Sequence, residues 1–127
     1  MGVSPERRPW VICIVDDDDS VRRSFSRLLR SAGFAFRAYR SADGFLAALP
    51  ADARVCVLID ITMPRMSGLE LQARLKERGS HFPMIAISAR DDDVARSTAH
   101  RLGASCFLRK PVDDQALLDA IERITAG

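Results

Sequence analysis

Five short apolar runs, each followed by a stretch with helical spacing, constrain this chain more than any other feature. The runs are Val11 to Val15, Ala35 to Tyr39, Val55 to Ile59, Met84 to Ile87 and Cys106 to Leu108. Strand and helix patterns that alternate in this way are what a parallel sheet with crossover helices produces. Three of the runs are almost wholly apolar, as strands covered on both faces are. The expected fold class is therefore α/β, one doubly wound sheet of five parallel strands.

The helical stretches carry their own punctuation. The first reads from Ser20 as N-cap, with Val21, Phe25, Leu28, Leu29 and Ala32 on one face, and stops at Gly33. The second starts at the cap Ser41 and presents Phe45, Leu46 and Leu49 before Pro50. The third opens with the capping-box pattern Ser67-Gly68-Leu69-Glu70 and ends at Gly79. A fourth, about Asp92 to Leu102, has only Ala95, Ala99 and Leu102 to bury, which makes it the least anchored. The fifth follows Pro111 with Asp113 as N-cap, a Val112–Leu117 hydrophobic staple, and Leu118, Ile121 and Ile124 on its buried face. No repeat or linker interrupts this organisation, so one domain is expected over residues 8–125, with residues 1–7 disordered.

A chain of 127 residues with 47% hydrophobic content buries enough surface for one core without disulfides or metal staples. Nineteen Lys and Arg against 17 Asp and Glu leave a net charge of +2, too small to announce a nucleic-acid or membrane partner. No apolar run approaches the roughly 20 residues of a membrane span, and residues 1–9 lack the apolar segment of a secretion signal, so a cytoplasmic protein is expected. Cys13, Cys56 and Cys106 are odd in number, far apart and without a C-x-x-C pattern, and read as buried reduced thiols. Cys13 and Cys56 each stand four residues before an acid, Asp17 or Asp60, and are expected at one height on adjacent strands, too poorly oriented for a disulfide.

In open parallel α/β sheets, ligands bind beyond the carboxyl ends of the strands. The residues found there are Asp16-Asp17-Asp18-Asp19, Asp60, Ser88 and Lys110-Pro111. Carboxylates forced together repel unless a cation neutralises them, and an all-oxygen set suits Mg²⁺. A lysine and a hydroxyl opposite would hold phosphoryl oxygens, since phosphoryl transfer is mainly positioning and charge neutralisation. No glycine-rich nucleotide loop of either common type is present.

Five landmarks in order carry a resemblance that spans nearly the whole chain: Val15-Asp16-Asp17; Asp60-Ile61-Thr62-Met63-Pro64-Arg65-Met66-Ser67-Gly68; Ser88-Ala89; Phe107-Leu108; and Arg109-Lys110-Pro111. Together they resemble the receiver domain of two-component response regulators, the CheY-like family. The wording around Ser41-Ala42, Phe45-Leu46 and Met66 to Leu71 is similar to its FixJ-type branch. The resemblance implies a flavodoxin-like sheet in the order 2-1-3-4-5 and a phosphoacceptor, Asp60, supplied by a sensor histidine kinase. It further implies Mg²⁺ held by Asp17 and Asp60 directly, by Asp16 through water and by the Thr62 carbonyl. Ser88 becomes the switch hydroxyl, Lys110 the phosphoryl-binding lysine and Phe107 the switch aromatic. Thr62 and Arg90 stand where receivers vary and tune phosphoryl lifetime. A cis Lys110-Pro111 bond, a phosphorylation-dependent homodimer and an output that controls transcription through an appended DNA-binding domain belong to the same expectation.

Read singly, these residues have plainer roles. Asp18 and Asp19 are cap or solvated acids and stay outside the site, Phe107 is core, and His81 and His100 are surface residues. A phosphohydrolase of the haloacid dehalogenase type would need an acid two residues after the nucleophile, where Thr62 stands. A pseudo-receiver would have lost landmarks that are all present. A free-standing receiver or phosphorelay intermediate is the alternative to an N-terminal domain of a longer regulator.

Overall fold

A computed structural model describes residues 8–49, 53–62, 68–77 and 82–126. Strands and helices alternate as β1 (Trp10–Val15), α1 (Asp19–Ser31), β2 (Phe36–Tyr39), α2 (Ala42–Ala47), β3 (Arg54–Asp60), α3 (Gly68–Glu77), β4 (Met84–Ser88), α4 (Asp93–Arg101), β5 (Cys106–Arg109) and α5 (Asp114–Thr125). All pairings are parallel, and the strand order is β2-β1-β3-β4-β5. This is the flavodoxin-like arrangement expected, with β1, β3 and β4 central and nearly continuous in apolar residues.

Successive residues of a strand face opposite sides, and the sheet divides its core accordingly. On one face Ile12, Ile14, Cys56, Leu58, Ile85 and Ile87 pack against Phe25 and Leu29 of α1 and Leu117, Ala120 and Ile121 of α5. On the other, Cys13, Val15, Val55, Val57, Ile59 and Met84 meet Phe45 and Leu46 of α2, Leu71 and Leu75 of α3, and Leu102 after α4. Each fully buried aliphatic side chain contributes about 1.5–3 kcal/mol relative to exposure. Both faces are therefore needed to hold the sheet, and the edge they leave free is where the strands end.

Helix starts follow cap chemistry. Ser41 and Asp113 cap α2 and α5 through their side chains, as the sequence predicts, and Asp92 does the same for α4. The cap of α1 is Asp18, not Ser20. Its Oδ1 accepts from the backbone N–H of Ser20 at 2.8 Å and of Val21 at 3.3 Å, while the Ser20 hydroxyl donates to the same oxygen at 2.7 Å. A carboxylate outcompetes a hydroxyl here because it also bears charge at the positive end of the helix. Gly33 and Gly103 close α1 and α4 at φ of 83° and 71°, a left-handed conformation that other residues adopt only with strain. Val112 and Leu117 share one apolar cluster, as a staple requires. Helix α4 itself buries only Ala95 and Ala99. The start of α3 at Ser67, its end at Gly79, His81 and residues 1–7 lie outside the described residues.

The expected level placement of Cys13 and Cys56 is corrected by the register. Ile12 pairs with Cys56 and Cys13 with Val57, so the two thiols point to opposite faces. The reason is that Asp16, not Asp17, continues β1 level with Asp60. All three cysteines are free. Burial pushes the Cys13 thiol up to about 11 and the Cys56 thiol up to about 12. Alkylation of the native protein at pH 8 should therefore modify only the half-buried Cys106 rapidly, and three thiols should react after denaturation. Any fast-reacting thiol in a Cys106→Ser variant would contradict this placement.

Candidate functional site at the carboxyl edge of the sheet

The register that fills the core also gathers the polar residues. Val15 lies level with Ile59, and Asp60 with Ile87, so Asp16, Asp60 and Ser88 end three adjacent strands at one edge. They are the buried polar residues of the described chain, with exposures of 1%, 6% and 0%. Lys110 arrives from the far side, its backbone N–H donating to the Ser88 carbonyl at 2.8 Å. The peptide that follows, Lys110-Pro111, is cis.

The Lys110 ammonium is the centre of the arrangement. Its Nζ lies 2.9 Å from Asp60 Oδ2 and 2.9 Å from Asp16 Oδ2. The directed hydrogen bond goes to Asp60, and Asp16 Oδ2 is left buried with the neighbouring charge alone. Burial opposes the Lys110 charge, yet the two carboxylates outweigh it and hold the ammonium above its ordinary range. For Asp16 the balance goes the other way. Burial lifts its carboxyl above the usual value, and the Asp18 N–H and Lys110 offset only part of that. An acid kept in this condition gains from a cation placed beside it.

The remaining contacts fix the loops. Asp16 Oδ1 accepts from the Asp18 N–H at 2.9 Å, and the Asp16 carbonyl accepts from the Arg22 guanidinium at 2.6 Å. Arg22 also pairs with Asp19, so one side chain of α1 holds both ends of the acidic loop. Asp60 Oδ1 accepts from the Thr62 N–H at 2.8 Å and from its hydroxyl at 2.5 Å. Both oxygens of Asp60 are thus engaged, one by Thr62 and one by Lys110. The Ser88 hydroxyl accepts from the Arg90 N–H at 3.0 Å.

Carboxylate oxygens of Asp16, Asp17 and Asp60 lie within 4.8 Å of one another. Three carboxylates, one exposed and two buried, offer the all-oxygen donor set that suits a small hard divalent cation. Asp18 and Asp19 take no part, one as helix cap and the other paired to Arg22. His100 is exposed. Phe107 departs from its plain reading as core: it is half-buried, and among the described residues neither apolar cluster includes it. It stands level with Ala86, two residues short of Ser88. Arg22 is not legible from sequence, because a guanidinium that reaches back six residues to a backbone carbonyl leaves no periodic or motif signal.

Comparison with known proteins places this geometry. Residues 12–122 match the response regulator receiver domain family. Transcriptional regulatory protein FixJ of Azorhizobium caulinodans is 42% identical over 118 residues, covering 92% of this chain and 54% of the relative. Response regulator protein TodT of Pseudomonas putida is 40% identical over 114 residues, covering 90% and 50%. The chain spans about half the length of these curated relatives. Among solved structures, FixJ-N superposes with a TM-score of 0.84 at 34% identity over 94% of this chain and 95% of that one. The response regulator StyR gives 0.83 at 40% identity, over 93% and 60%. On sequence, fold and strand order alike, the chain belongs to the response regulator receiver domain family, among FixJ-like and TodT-like regulators.

Proposed function

We infer that residues 8–125 form a phosphoacceptor switch that takes a phosphoryl group on Asp60 from a phosphohistidine of a sensor kinase. The observation that carries this reading is the Lys110 ammonium held 2.9 Å from both Asp16 and Asp60 at the carboxyl edge. An Asp60 carboxylate oxygen attacks phosphorus, the phosphorus–nitrogen bond breaks, and the electron pair leaves with the imidazole. The product is a mixed anhydride, reactive enough for water to remove the group again. Asp16, Asp17, Asp60 and the Thr62 carbonyl would hold Mg²⁺, with Asp16 acting through water. The ion supplies charge neutralisation for the incoming phosphoryl oxygens.

Lys110 then trades its contact with the Asp60 carboxylate for a phosphoryl oxygen, and the Ser88 hydroxyl leaves the Arg90 N–H for another. Ser88 begins the loop into α4, whose two buried alanines give little burial energy to oppose repositioning. Loop movement opens room for Phe107, and the surface of α4, β5 and α5 changes. Charge-assisted bonds of about 1.5–3 kcal/mol each suffice to shift such a two-state population. The output is a homodimer formed through that surface. The FixJ and TodT relatives are about twice as long, and FixJ is named a transcriptional regulator, which favours an N-terminal receiver of a longer cytoplasmic regulator over a free-standing one. Among the described residues no helix is long and apolar enough to cross a membrane.

Asp60→Asn should abolish phosphoryl incorporation from acetyl phosphate or a phosphohistidine donor. Because the change is nearly isosteric and relieves repulsion among the acids, its melting temperature should equal or exceed that of the wild type. Incorporation that survives the substitution would refute Asp60 as acceptor. Calorimetric titration should show Mg²⁺ binding weakened by at least about tenfold in Asp17→Asn, since even outer-shell partners are commonly worth that much. Equal affinities would remove Asp17 from the ligand set. Sedimentation with fluoroberyllate as phosphoryl mimic should convert wild type, but not Ser88→Ala, from monomer to dimer. A wild type that keeps its oligomeric state would rule out dimerisation as output.

A further inference from the structure

We propose that Arg96 is a positioning residue that holds Phe107 in an outward resting place and so sets how far the protein is poised before any phosphoryl group arrives. The inference rests on the phosphoacceptor reading and extends it to a residue outside the acid cluster. The Arg96 guanidinium carbon lies 5.1 Å from the centroid of the Phe107 ring. Phe107 has no hydroxyl, so the face of its ring is its one polar handle, and a cation placed over that face is the electrostatic hold available to it.

Arg96 is itself anchored. Its Nε donates to Asp91 Oδ1 at 2.6 Å, and this bond is the main reason that the Asp91 carboxyl lies below its ordinary range. Asp91 directly follows Arg90, whose backbone N–H donates to the Ser88 hydroxyl. The Arg90 guanidinium binds Asp92 Oδ2, with Nε at 2.9 Å, while Asp92 Oδ1 caps α4 through the Ala95 N–H at 2.9 Å. One unbroken run of contacts thus joins Ser88, the loop, the cap of α4, Arg96 and Phe107. When the Ser88 hydroxyl turns to a phosphoryl oxygen it gives up the Arg90 N–H, and the loop that carries Asp91 is free to move. Arg96 then loses its anchor, and the ring loses its cover.

The test uses the full chain with 4-fluorophenylalanine at position 107, followed by fluorine magnetic resonance. In ligand-free protein, Arg96→Ala should shift the resonance and reduce its solvent isotope effect as the ring turns inward. Arg96→Lys, which keeps a cation, should stay nearer the wild type. The same Ala variant should bind fluoroberyllate with Mg²⁺ about two- to five-fold more tightly, the exposed-site range for a cation over an aromatic face. In a Phe107→Leu background the Arg96 substitution should leave that affinity unchanged. An unmoved resonance in Arg96→Ala, or an equal gain of affinity in the Phe107→Leu background, would overturn the proposal. If the wild type takes up no fluoroberyllate, the phosphoacceptor reading falls, while the ligand-free resonance still decides whether Arg96 holds the ring.

Discussion

One ammonium group shared by two buried carboxylates is the interaction on which the carboxyl edge depends. Asp16 and Asp60 end adjacent strands, and the Asp60 charge adds to the burial that lifts the Asp16 carboxyl. Lys110, reaching across from beyond β5, offsets that charge and ties the outer strand to the centre of the sheet. Net charge among the three groups still stands at minus one before Asp17 is counted. The edge therefore keeps an excess of negative charge, a condition that a cation placed beside it would relieve.

Most of the fold was legible because its signals repeat. Strands β1, β3 and β4 lie between two helical layers, and burial on both faces leaves short uninterrupted apolar runs bounded by turn residues. Asp60 and Lys110 were legible for a different reason: each stands at the end of its own run, where a parallel sheet collects ligand groups. What the residue pattern left ambiguous lies within one or two positions. Four consecutive aspartates offer several equivalent strand ends and helix caps, so periodicity could not decide between Asp16 and Asp17 as the level partner of Asp60, or between Asp18 and Ser20 as cap. That one-residue ambiguity is what moved Cys13 and Cys56 onto opposite faces.

Contacts that a long side chain makes only once the fold has formed are a second class that no local pattern encodes. Arg96 over Phe107 joins a helix to the next strand, and its nearest signal is an arginine one position after a buried alanine, which describes many solvated arginines equally well. The same holds for Arg22 and the Asp16 carbonyl. Long cationic side chains of this kind lie along apolar or polar neighbours according to the tertiary fold, and the composition that makes them look uncommitted is the reason they are easily overlooked.

The register between β1 and β3 has a consequence for how such a chain can change length over evolution. Each residue advances a strand by about 3.3 Å and turns the next side chain to the other face. An insertion within either strand would carry an acid away from its partner and reverse the core at the same stroke. Turns at the opposite edge, where Gly33 and Gly103 reverse the chain, bear no such constraint. Extra residues there would leave every strand end where it is. Variation in length among proteins built on this plan should accordingly gather at the amino edge, far from the acids, while spacing from each strand into its own terminal residue stays fixed.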